Sequence, residues 1–408
     1  MAGGAERYTS CASFPNATAS LDLAGGRGYA GGVTRDPTPS PLTWALALVF
    51  LALLDGVVTR TSVLWGPTAF EHTRDIRKVV FAQTYQAARK LYATTSASPA
   101  RIALLGNSRI WLAARETFLQ PELARLAPGP ETSVYNLGIF GAGLGDMEVV
   151  SRHLGRVRPS LVVLAIGSSD LLATPSSPLE GLPARLLRVG WADGPLPPRH
   201  AVDRLDRWAR TVWPLYRFHE FARAALEDRV VRPTRPETFP DHVRSTRAIF
   251  AYMHGEQAAA VEQAYRAWRA RPSLAAFVDY LRVGSSGHVD MVRNRVREAT
   301  LPSLESPAGR VLDALLARLA ANGWRAVVLL MPENPLLDGD VAGEYHVAGF
   351  SAAAADVIRT LAARHHFILV DGRRWLPAEA FLDLDHVLPE LSGFQRPLAA
   401  EIVRALRS

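Results

Sequence analysis

Cysteine is all but missing from this 408-residue chain: Cys11 stands alone, which excludes a disulfide framework and any thiolate metal site. Lysine is nearly as scarce. Only Lys78 and Lys90 occur among 46 basic residues, so arginine carries the net charge of +7. Those arginines read as solvated helix faces, and no nucleic-acid partner is expected. There is no P-loop, dinucleotide fingerprint or HExxH motif, and no cofactor or metal is expected. Long apolar runs are also lacking, with one exception at Leu42–Leu54, continued past Asp55 and Gly56 by Val57 and Val58.

That run is aliphatic on every face and begins near Trp44. It reaches the roughly 20 residues of a membrane span only by including Asp55. A secretory signal and a buried helix are the rival readings, but no Ala-x-Ala cleavage pattern follows. Residues 42–65 are therefore expected to form a single-pass anchor or uncleaved signal, attaching the chain to the cell membrane through an N-terminal helix. Arg27 and Arg35 precede the run, whereas Arg60, Arg74, Arg77 and Lys78 follow it. By the charge rule alone, the remainder would lie inside the cell. Residues 1–41, rich in Gly, Ala, Ser, Thr and Pro, are expected to be disordered.

The rest of the chain alternates two kinds of pattern. Short apolar runs at 101–106, 132–138, 161–167, 324–331 and 367–371 predict strands. Helical periodicity occupies 74–93, 143–155, 309–322, 351–365 and 392–406, although Gln83 and Thr84 interrupt the apolar face of the first of these. The alternation predicts an α/β fold, a doubly wound, flavodoxin-like sheet of five parallel strands. Its two halves, 74–175 and 306–408, flank an insertion at 176–305. The insertion opens Pro-rich and continues with helical patterns at 201–229, 241–254, 256–270 and 273–283. Trp208, Trp213, Tyr216, Phe218 and Phe221 interleave there with arginines. They suit a small core of the insertion, a lid, a glycan-binding face or a docking surface.

Chemistry concentrates at predicted strand ends. Ser108 follows the first strand in Gly106-Asn107-Ser108-Arg109, where it is either a nucleophile or a helix cap. Near the C-terminus, Asp383-Leu384-Asp385-His386 places a carboxylate three residues before a histidine, close enough to steer the imidazole towards a serine. Asp385 reads as a cap of the last helix. Asn136-Leu137-Gly138 ends the second strand and Gly167-Ser168-Ser169-Asp170 the third. Arg109 and Asn334 are the candidates for substrate contact, with a structural ion pair as the rival role for Arg109.

Serine, glycine, a polar third block and histidine in this order resemble the SGNH (GDSL-type) hydrolase superfamily. The arrangement is more narrowly similar to its membrane-anchored envelope branch, which includes D-alanyl-transfer and alginate O-acetylation proteins. The resemblance covers residues 100–175 and 309–406. It implies Ser108 as nucleophile, His386 as general base and Asp383 as its orienting partner. The Ser108 and Gly138 amides, with Ser169, would donate to the oxyanion. Members of the superfamily commonly carry Gly-x-Asn-Asp at the third block, so Ser169 replaces an asparagine donor. The implied activity is that of a serine esterase or O-acyltransferase acting on an acylated envelope glycan or glycolipid. Its catalytic domain would lie outside the cytoplasm, contrary to the charge count, and a membrane-bound acyl-donor protein is a further expected partner. The alternative is a catalytically impaired scaffold or glycan-binding protein that keeps the fold.

Overall fold

The computed structural model describes residues 40–60, 76–92, 100–128, 131–172, 257–273, 275–283, 300–338, 347–387 and 389–408, with isolated positions between 205 and 213. The expected interleaved aromatics, the Pro-rich opening of the insertion and its helices at 201–229 and 241–254 otherwise lie outside these residues. So do residues 1–39 and 61–75.

Five strands, β1 (Ala100–Leu105), β2 (Thr132–Asn136), β3 (Leu161–Ile166), β4 (Ala326–Leu330) and β5 (Ile368–Asp371), form one sheet in the order β2-β1-β3-β4-β5. Every pairing is parallel. This is the expected doubly wound, flavodoxin-like arrangement, and its strand order reverses direction between β1 and β3. In such sheets the ligand crevice forms at the carboxyl ends of the strands beside that reversal.

Both faces are covered, so the central strands are continuous apolar runs, and all six residues of β3 are buried. The pleat divides them between two cores. Val162, Leu164 and Ile166 join a core with Tyr85, Leu91, Met147, Leu312 and Ile358. Leu161, Val163 and Ala165 join the other with Ile110, Leu123, Leu398 and Ile402.

Among the described residues, the helices longer than one turn are α1 (Pro41–Arg60), α2 (Ile76–Tyr92), α3 (Ser108–Ala113), α4 (Glu116–Leu126), α5 (Leu144–Ser151), α6 (Ala258–Ala270), α7 (275–283), α8 (Pro307–Ala321), α9 (Val347–Arg364) and α10 (Gln395–Arg407). The sequence pattern did not announce α4, which has Pro121 within it. In α2 the polar interruption faces inwards, because Gln83 and Thr84 are buried and Gln83 Oε1 accepts the Phe140 amide.

From the insertion, α6 and α7 contribute a small aromatic core of Tyr265, Trp268, Phe277 and Tyr280. It packs on Leu112 of α3 and on Leu382 and Leu384 near the C-terminus. The chain divides into units Met1–Val49 and Phe50–Ser408, and the sheet lies wholly in the second. In α1, Leu42, Trp44, Leu46, Leu48, Phe50 and Leu53 are exposed. Side chains of this helix are described as far as Leu53, and among the described residues no helix is long and apolar enough to cross a membrane.

Candidate active site

The turn after β1 is built around close approach. A Cβ on Gly106 would lie 2.6 Å from Ile110 Cγ2 and 3.0 Å from the Ala165 carbonyl oxygen of β3, so only glycine lets α3 start here. Asn107, rather than Ser108, caps the helix: its Oδ1 accepts the Arg109 amide at 2.9 Å, while its Nδ2 donates to Asp170 Oδ1 at 2.8 Å. Ser108 is thus the first helical residue, where the backbone N–H has no acceptor within the helix.

Across the sheet edge, an isolated antiparallel bridge between Phe381 and Val387 closes the loop that carries the histidine. Asp383 Oδ1 accepts the amides of Asp385 at 3.0 Å and His386 at 2.8 Å, which sets the turn. His386 Nδ1 lies 2.8 Å from Asp383 Oδ2 and 3.1 Å from Asp385 Oδ1. Two carboxylates on Nδ1 place the ring proton there and leave Nε2 facing Ser108 Oγ at 2.7 Å. The Phe140 ring is stacked with the imidazole, its centroid 6.4 Å away. The structure therefore brings together Ser108, His386 and Asp383 from positions 278 residues apart in sequence.

Electrostatics acts strongly on the base. Burial disfavours the charged imidazole, but the charges of Asp383 and then Asp385, with their hydrogen bonds, outweigh it and raise the His386 pKa well above 6.5. Asp383, Asp385 and His386 are also a trio whose ligand atoms all lie within 4.8 Å. With the proton on Nδ1 donated to carboxylates, the one ring lone pair is that of Nε2, and it faces Ser108.

Several expected roles are corrected. Arg109 is a buried ion-pair partner, not a substrate contact: its Nη2 lies 2.6 Å from Asp170 Oδ2 and only 3% of its side chain is exposed. Burial pushes the Asp170 pKa up against the opposing pull of Arg109 and the Gly167 amide. Asn334 also turns inwards. Buried, it accepts the Leu336 amide and donates to the Asp383 carbonyl at 3.4 Å, so it steadies the histidine loop and does not face a ligand.

The Gly138 amide donates to Asn136 Oδ1 at 3.0 Å in a buried bond, which occupies the N–H expected to serve an oxyanion. Glycine is required there for packing instead, since a Cβ would meet Trp111 at 2.8 Å and the Asn107 carbonyl at 2.9 Å. Ser169 stands exposed in the 3-10 turn Ser168–Leu171.

Two residues visible in the sequence take roles it did not assign them. Asn136 donates to the Ile110 and Ala114 carbonyls, each at 3.0 Å, and so holds the end of α3. Asp385 does not cap the last helix, because α10 begins after Phe394. The available signals were an asparagine in the apolar run of β2 and a second carboxylate beside a loop histidine.

No model of a known protein family matches the chain, and no curated protein matches it. Among solved structures it is similar to an acetyl xylan esterase at 10% identity, covering 75% of this chain and 98% of that one, with a TM-score of 0.30. It is also similar to an extracellular lipase from Streptomyces rimosus at 16% identity, covering 75% and 99%, with a TM-score of 0.28. At such TM-scores neither likeness bears on activity, and the functional argument rests on the residues at the sheet edge.

Proposed function

We propose that this protein is a serine esterase or O-acyltransferase acting on ester bonds of an envelope glycan or glycolipid. The observation that carries this reading is the continuous hydrogen-bonded line from Ser108 Oγ through His386 to Asp383 at the strand reversal. Ser108 Oγ attacks the acyl carbonyl carbon as His386 Nε2 takes its proton, and the carbonyl oxygen becomes the oxyanion. Collapse of that intermediate breaks the bond to the departing alcohol, which takes the proton back from His386 and leaves the acyl group on Ser108. Water or a sugar hydroxyl, deprotonated by His386, then attacks the acyl carbon; the bond to Ser108 Oγ breaks, and Oγ takes the proton back from His386. The first acceptor makes an esterase and the second a transferase, which would work beside a membrane-bound acyl-donor protein. The amide of Ser108 and the hydroxyl of Ser169 are the proposed oxyanion donors.

Exposed apolar side chains along α1 support attachment to a lipid surface, and the resemblance alone, against the charge count, puts the catalytic unit on its outer side. Retention of the full chain in membranes after an alkaline wash, together with protease accessibility of the catalytic unit in intact cells, tests both points.

The alternative, a fold-preserving scaffold, draws support from the engaged Gly138 amide and the serine in place of asparagine at 169. A fluorophosphonate probe on the detergent-solubilised full chain decides. Wild type should be labelled, and Ser108→Ala and His386→Ala should lose at least about a thousandfold in labelling rate. A folded wild type that takes no label at any pH would establish the scaffold.

A further inference from the structure

We infer that Asp385 is a second carboxylate on the catalytic histidine, a positioning residue that, with Arg109 behind it, sets the pH at which Ser108 becomes nucleophilic. The inference rests on the serine-hydrolase reading for its consequence, but its geometry stands apart from that reading. Asp383 has two tasks, since its Oδ1 accepts two backbone amides of its own turn while both its oxygens lie near Nδ1, at 3.0 and 2.8 Å. Asp385 approaches the same Nδ1 at 3.1 Å, and its other oxygen lies 3.9 Å from Arg109 Nε. Arg109 in turn holds Asp170 at 2.6 Å, and Asn107 ties that carboxylate to the turn carrying Ser108. A charged line thus runs from the end of β3 to the base.

Among the described residues, the groups around His386 come from several elements. Its own loop offers Asp383 and Asp385. From α3 comes Ser108; Arg109 lies behind Asp385, and Asp170 behind Arg109, so neither touches the ring. The Tyr280 phenol of α7 donates to the Leu382 carbonyl, and burial, then the Asp383 charge, raises its pKa and keeps it neutral. Phe140 brings no charge. Two carboxylates therefore face the imidazole directly, and protonating it relieves their charge.

The protonated ring carries a hydrogen on Nε2 that points at Ser108 Oγ, so it cannot accept the hydroxyl proton. Activation then waits for a pH above the ordinary histidine range. Asp385 is 38% exposed, so water screens its charge, and it can be replaced without leaving a buried hole.

The experiment follows fluorophosphonate labelling of the full chain against pH. In parallel, NMR titration of 15N-labelled histidine follows the imidazole, with the His386 signal assigned by its loss in His386→Gln. Asp385→Asn should move both midpoints down by on the order of one pH unit and raise labelling at neutral pH severalfold. Asp385→Ser, which lacks the amide that could bond to Nδ1 or Arg109, should do the same.

A His386 titration unchanged in both folded variants overturns the role of Asp385, even if labelling persists and the hydrolase reading survives. A shifted titration in a protein that never labels upholds the coupling of Asp385 to His386 and instead defeats the hydrolase reading.

Discussion

The two halves of the site are held in different ways. Ser108 is carried by the sheet: it follows buried β1, its turn presses on β3 through Gly106, and Asn107 and Asn136 fix the two ends of α3. His386 is carried by a loop whose regular pairing is a single bridge, and which is braced by Asp383, Asn334 and Tyr280. Tyr280 belongs to the insertion. The nucleophile is thus fixed by the part of the molecule that makes the fold, whereas the base depends in part on an element added to it. Damage to the first half should lower stability and activity together; damage to the second should separate them.

Gly167→Ala should produce the largest effect on the sheet-built half. A Cβ there would lie 1.6 Å from Arg109 Nη1, and that guanidinium, buried against Asp170, would have to shift. Displacing it leaves a buried carboxylate without its cation, a loss of about 3–5 kcal/mol. Urea unfolding should record that loss, with labelling falling in the same variant. A midpoint within experimental error of wild type would show that Arg109 can move, and with it that this half is less rigid than its packing indicates.

Ser169→Asn sharpens the comparison from the same edge. If the site is catalytic, placing a planar amide donor at position 169 should speed labelling by about tenfold, with little change in stability at an exposed position. An unchanged rate would mean that residue 169 does not face the oxyanion.

The fate of Gly138 shows why oxyanion roles were the least legible part of the sequence. A glycine at a strand end can be read, but whether it is needed for its amide or for the passage of Trp111 depends on a contact across the turn. The sheet was legible for the opposite reason. Burial on both faces makes runs such as Leu161–Ile166 continuous, and that signal is local. The short α3 and the Pro-containing α4 have weaker periodicity, and tertiary packing decides them. Arg109 and Asn334 stood out as polar residues beside a site, a property shared by residues that touch substrate and residues that brace loops. Only their burial and partners separate the two. Asp385 was passed over because the spacing rule for a helix or strand does not govern a loop, in which residues two apart can both reach one ring nitrogen.

Tyr280→Phe is the smallest change and the most selective. It removes one hydroxyl that donates to the buried Leu382 carbonyl and leaves the aromatic packing with Trp268 and Phe277 in place. The unpaired carbonyl should cost about 1–2 kcal/mol, borne by the loop and not by the sheet. Labelling should therefore slow severalfold, and amide exchange should quicken at residues 382–387 while strands β1 and β3 keep their protection. Equal loss of protection in loop and strands would mean that the base is held by the same cooperative unit as the nucleophile. The insertion would then be an integral part of the fold, and the distinction between the two halves would fall.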